Sequence, residues 1–159
     1  VTAAEKTLVM YGGGAREAAR RMLPNLPDAC FVPVAAERLR EAVKAGLAQV
    51  VMVARMQEQA AFLGGAAGLL ESITLDMDCG PALAGRVAQA PAVQDVYDMW
   101  DAAGKLGPCG RELCRRTAGG LERLAAEAEG SADSPVAAQV VLLDAAGERM
   151  VGMYGRMAR

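Results

Sequence analysis

Histidine is absent from the 159-residue chain, and that one absence excludes more chemistry than anything else in the composition. No Ser-His or Cys-His nucleophile, no imidazole general base and no His-ligated metal can be assembled from these residues. Proton transfer would fall to Asp, Glu, Lys, Tyr or Cys. Aromatic side chains are scarce, at 4% against 53% hydrophobic residues overall, so alanine, leucine, valine and the nine methionines must fill the interior. No run of about 18 apolar residues occurs, which argues against a membrane span. Basic charge is not concentrated either. Lys and Arg number 17 against 19 Asp and Glu, for a net charge of −2, without the footprint of a nucleic-acid binder. Arg20-Arg21 and Arg115-Arg116 are isolated pairs that read as solvated helix faces. The cysteines, at 30, 79, 109 and 114, have neither zinc-site spacing nor the density of a disulfide framework, and read as reduced thiols of a cytoplasmic protein. Asp76 and Asp78 have no third acid nearby, so no metal site is expected.

What is present begins with Thr7-Leu8-Val9-Met10-Tyr11, an uncharged run that leads into Gly12-Gly13-Gly14 and then into a helical segment, Ala15 to Leu23. A buried strand, a glycine turn and a helix start make a βα unit, whose loop lies where open α/β sheets bind ligands. Unpaired amides there favour an anionic group. The triplet is neither Gly-x-Gly-x-x-Gly nor a Lys-containing phosphate loop. The plainer reading is a tight turn that needs residues without a Cβ, with a ligand-binding loop as its alternative.

Downstream, Pro24 to Asp28 reads as a rigid turn and Ala29 to Val34 as a second strand. Pro33 removes a ladder donor, so that end should be an edge or a strand terminus. Ala35 to Ala45 is an amphipathic helix stopped by Gly46. Gln49 to Ala54 is a continuous apolar run, as in strands covered on both faces. This alternation predicts a parallel sheet. Gln57 to Leu70 reads as a glycine-interrupted helix, and Glu71 to Asp78 as a fourth strand or a loop around two acids. Further helices are expected over Pro81–Gln89, Pro91–Ala103 and Cys109–Glu129, with a break from Gly104 to Gly110. The cluster of Val93, Val96, Tyr97 and Trp100 reads as core or interface. After the loop from Gly130 to Pro135, Val136–Leu143 and Glu148–Tyr154 form a hairpin around Asp144-Ala145-Ala146-Gly147. The expected fold is α/β: a three-layer Rossmann-like parallel sheet with helices on both faces and a C-terminal β-hairpin. One domain is expected over residues 1–159. The opening Val-Thr-Ala-Ala-Glu-Lys lacks a signal-peptide pattern and an initiator methionine, which suggests a domain excised from, or paired with, a longer chain.

The order of these parts resembles the C-terminal half of the cobalt-precorrin-5B methyltransferase family of anaerobic cobalamin biosynthesis. The resemblance rests on the glycine-ended first strand, on Leu39-Arg40-Glu41-Ala42-Val43-Lys44-Ala45-Gly46-Leu47 running into Val50-Val51-Met52-Val53, and on the closing Val140-Val141-Leu142-Leu143-Asp144-Ala145-Ala146-Gly147. It spans roughly Thr7 to Gly155. The family's Gly-His-x-Gly-Lys after the third strand falls here on Ala54-Arg55-Met56-Gln57-Glu58, with none of its polar identities retained, and the later Thr-His pair is missing. No catalytic residue carries over, and whether the chain is itself a C-methylating enzyme stays open. The resemblance implies S-adenosylmethionine as cofactor, bound by Gly12, Gly13, Gly14 and Arg16. It implies a tetrapyrrole, the cobalt-precorrin, as substrate, lined by Arg55, Gln57 and Glu58. The partner implied is a missing N-terminal domain or a second copy. The alternative is a non-catalytic α/β interaction or ligand-binding module that packs on a partner domain through the helices around Tyr97 and Trp100.

Overall fold

The computed structural model describes residues 6–158; the segment read as lacking a signal sequence, residues 1–5, lies outside them. Strands β1 (Thr7–Tyr11), β2 (Phe31–Pro33), β3 (Gln49–Ala54), β4 (Ala137–Leu143) and β5 (Met150–Gly155) form one sheet in the order β2-β1-β3-β4-β5. The first four are mutually parallel, and β5 returns antiparallel to β4. Helices α1 (Arg16–Met22), α2 (Ala36–Lys44), α3 (Met56–Phe62), α4 (Leu69–Asp76), α5 (Pro81–Ala88), α6 (Val93–Ala102) and α7 (Leu106–Glu129) complete the order.

The pleat explains the layers. Along β1 and β3, Leu8, Met10, Val50, Met52 and Ala54 face a large core shared with α2 to α7. The alternating Val9, Val51 and Val53 face a smaller one. That second core is closed by Ala15, Ala18 and Ala19 around α1, and by Cys30 and Phe31. Six of the seven helices therefore lie on one face and a single short helix on the other. All six residues of β3 are buried, as its unbroken apolar run requires. Helix α7 buries Cys109, Leu113, Thr117 and Leu121 at four-residue steps and ends on the left-handed Gly130 (φ 72°).

Three expectations need correction. Residues 71–76 are neither strand nor loop but helix, with only Met77 and Asp78 left as a turn; Leu70, Ile73 and Thr74 form the buried face of α4. The anticipated break from Gly104 to Gly110 shrinks to residues 103–105, because α7 begins at Leu106. Pro108 lies in its first turn, where no amide donor is needed. The second strand is only three residues long and follows a 3-10 turn at Asp28–Cys30. It is an edge strand and it ends at Pro33, so both alternatives that the proline left open apply. Of the two readings of its cluster, core or interface, Trp100 takes the first: it is fully buried, and its Nε1–H donates to Thr74 Oγ1 at 3.0 Å.

Candidate functional site at the carboxyl ends of β1 and β3

Strands β1 and β3 are neighbours, but the chain leaves them in opposite directions, toward β2 and toward β4. In open α/β sheets the crevice at such a divergence is where ligands bind; here the Arg55 and Glu58 side chains lie over Gly13 and Gly12 at that place. Gly12 extends the ladder by one bond, its amide donating to Val53 O at 3.0 Å. Ala15 N then donates to Gly12 O at 3.0 Å and closes the turn. Gly14 has φ 74°, a conformation that excludes most side chains. Gly12 is buried, whereas Gly13, Gly14 and Arg16 are exposed.

From the other side of the crevice comes the start of α3. Glu58, at the third helical position, turns back so that its Oε1 accepts the Arg55 amide at 3.0 Å, one half of a capping box. The Arg55 guanidinium reaches across the crevice: Nη2 donates to Gly13 O at 3.1 Å and to Glu58 Oε2 at 3.3 Å. The hairpin loop closes a third side, with the Cβ position of Gly147 3.6 Å from Arg55 Cδ and 4.0 Å from Gly14 O. That loop is shaped by Asp144, whose Oδ1 accepts the amides of Glu148 at 3.0 Å and Arg149 at 3.3 Å. These amide bonds hold its carboxyl below the usual range. On α6, burial and the nearby Asp144 push the Tyr97 phenol up.

The residues expected to bind cofactor and substrate thus meet, although some forty positions of sequence separate Gly12–Gly14 from Arg55–Glu58. The glycines have internal reasons as well. A Cβ on Gly12 would stand 2.5 Å from Glu58 Oε1 and 3.0 Å from its Cγ and Cδ. Gly12 is therefore the seat of the Glu58 carboxylate. Gly13 and Gly14 are open: Arg55 Nη2 lies 4.0 Å from the first Cβ position, and nothing lies within 4 Å of the second. Gln57 and Arg16 have no side-chain partner among the described residues. Among the described residues no backbone partner is found for the Gly13 and Gly14 amides, which lie beside the exposed Arg16 and the half-buried Arg55, Gln57 and Glu58. A hollow of about 470 Å3 between α2, α3 and α7, lined by Phe62, Leu63, Arg123 and Leu124 among others, lies elsewhere.

One residue under the site was missed. Gln59 is fully buried. Its Nε2 donates to Ala54 O and Val141 O, each at 3.3 Å, and its Oε1 lies 3.0 Å from Thr117 Oγ1. It fastens the carboxyl ends of β3 and β4 to α7 directly beneath Arg55 and Glu58. The available signal was a glutamine sharing the inward face of α3 with Met56 and Ala60.

No family model matches the chain, and no solved structure does so at a significant level. Curated relatives do match. Cobalt-precorrin-5B C(1)-methyltransferase of Salinispora tropica is 34% identical over 170 residues, covering 98% of this chain and 43% of the relative. The protein of the same name from Salinispora arenicola aligns to the same extent at 34% identity. That from Rubrobacter xylanophilus is 32% identical over 130 residues, 72% of this chain and 33% of the relative. The chain spans less than half the length of the curated relatives it matches. With 34% identity along nearly its whole length, the chain is homologous to part of the cobalt-precorrin-5B C(1)-methyltransferases.

Proposed function

We propose that this chain is the ligand-holding, C-terminal portion of a cytoplasmic cobalt-precorrin-5B methyltransferase, acting in corrin ring biosynthesis with the remaining N-terminal portion of the enzyme. Gly12, Gly13, Gly14 and Arg16 face the methyl donor, S-adenosylmethionine. Arg55, Gln57 and Glu58 face the cobalt-precorrin. The observation that carries this reading is the convergence of both groups on one crevice, with Arg55 Nη2 3.1 Å from Gly13 O. The residues fit the donor at the first loop, where, among the described residues, the Gly13 and Gly14 amides have no backbone partner and the Arg16 guanidinium has no side-chain partner, a setting for a carboxylate. A match at 34% identity over 98% of the chain to a protein named for this reaction supports the same reading.

When bound, the donor supplies an electrophilic methyl group, so the protein's share is placement. Arg55 is already a bridge between the two loops. On arrival of a ring carboxylate, its guanidinium exchanges Gly13 O and Glu58 for the ligand in a bidentate pair. Glu58 stays on the Arg55 amide and keeps α3 in place. Absence of histidine is no obstacle, since methyl transfer from a sulfonium calls for no imidazole nucleophile.

Calorimetry with S-adenosylhomocysteine, and separately with a corrinoid bearing free carboxylates, tests the reading. The Gly13→Val chain is the control, because its new side chain meets only Arg55 Nη2 at 4.0 Å and the fold should persist. Binding of either molecule, weakened tenfold or more in the variant, is expected. Absence of binding to both, or equal affinity in the variant, would overturn the assignment.

A further inference from the structure

The two edges of the sheet are finished differently. β2 is three residues long and ends on Pro33, which has no amide to offer a passing strand. β5 runs Met150-Val151-Gly152-Met153-Tyr154-Gly155, with no charge and no proline. The charges nearest to it lie outside the strand, on Arg149, which pairs with Asp144 at 3.7 Å, and on Arg156, which pairs with Glu122 at 3.2 Å.

The register shows which side chains share a face. Met153 lies opposite Val141, and Tyr154 opposite Val140. A bulge between Leu142 and Leu143 then sets Met150 opposite Leu143. Met150 and Met153 therefore lie on the same side, that of α1, with Val141 and Leu143. There the cover stops. Val141 and Leu143 are buried beneath the α1 layer, while Met150 and Met153 stand 52% and 38% exposed. With Met157 at 57%, they make three of the four exposed large hydrophobic residues among those described. Tyr154, on the other side, is held under the Arg111 guanidinium at 5.3 Å.

We infer that the open edge and methionine face of β5 form a docking surface for the polypeptide that the longer relatives carry beyond the matched region. The occupant adds backbone hydrogen bonds along β5 and apolar side chains over Met150 and Met153. More than half of each relative lies outside the match, so the cover is covalently at hand in those proteins. An uncharged edge of this length is otherwise a template for unwanted pairing. Met suits such a surface because its flexible thioether adapts to the apposed side chains. The inference rests on homology to these relatives and is independent of which ligand the crevice binds.

Hydrogen exchange read by mass spectrometry tests it, comparing this chain with the full-length Salinispora tropica relative over the segment aligned with β5. The β5 amides pointing away from β4 should exchange fast in this chain, at any concentration, and at least tenfold more slowly in the full-length relative. Equal, fast exchange in both would overturn the inference. So would protection that grows with concentration in this chain alone, which would identify a second copy as the cover.

Discussion

Replacing Gly12 by alanine isolates what the glycine loop does inside the protein. The backbone at Gly12 lies outside the positive-φ region, so alanine meets no conformational penalty there. Its methyl group would instead fall 2.5 Å from Glu58 Oε1 and 3.0 Å from Cγ and Cδ. The carboxylate must swing away, which removes its bond to the Arg55 amide at 3.0 Å and its pairing with the guanidinium at 3.3 Å. Loss of an N-terminal helix bond costs about 1 kcal/mol, and a partly exposed ion pair contributes about 0–1 kcal/mol more. G12A should therefore destabilise the chain by about 1–2 kcal/mol, a fall in Tm of roughly 2–8 °C for a domain of this size. The deciding experiment is a double-mutant cycle by urea unfolding. E58A removes the side chain that G12A displaces, so in that background the glycine substitution should cost less than about 0.5 kcal/mol. If G12A costs the same with and without Glu58, the loop's first glycine serves something other than this carboxylate, and the reasoning fails.

Two further outcomes follow from buried and charged contacts. Gln59→Leu would strip a donor from Ala54 O and Val141 O and leave Thr117 Oγ1 without its carboxamide partner. It should cost roughly 1–3 kcal/mol in urea unfolding, and a loss below about 0.5 kcal/mol would show that these bonds are dispensable. Glu112 accepts from Arg115 at 2.7 Å and Arg116 at 2.8 Å, and the Arg115 bonds, foremost, bring its carboxyl down to about 2. Its folded value lies below the ordinary 4.5, so its contribution is complete above that pH and disappears as pH falls toward 2. In Glu112→Gln the decline in stability over that window should be shallower by about 1 kcal/mol, measured as urea midpoints against pH. An unchanged slope would refute the pairing as a source of acid sensitivity.

The parallel core was readable because hydrophobicity alone builds it: β3 appears as an unbroken apolar run, and all six of its residues are buried. Helix α4 was hidden for the opposite reason. Ser72-Ile73-Thr74-Leu75-Asp76 alternates apolar and polar types, which mimics a strand. Thr74 is nevertheless a core residue, because its hydroxyl donates to Leu70 O at 2.7 Å and accepts from Trp100. A polar side chain satisfied by a long-range partner cannot be recognised as inward-facing from local pattern. Gln59 escaped notice on the same ground. The crevice was half legible. Gly12–Gly14 marked one wall, but the return of Glu58 onto Gly12 follows from the register Tyr11↔Val53, which composition does not encode.

The excursion between β3 and β4, residues 55–136, also bears on the order in which the molecule assembles. β1, β2 and β3 lie within the first 54 residues and can associate through short crossovers. β4 can join only after five helices have condensed against the growing sheet, because closing so long a loop is entropically uphill until its interior packs. The half of the sheet that carries the hairpin should accordingly be the last to form during folding.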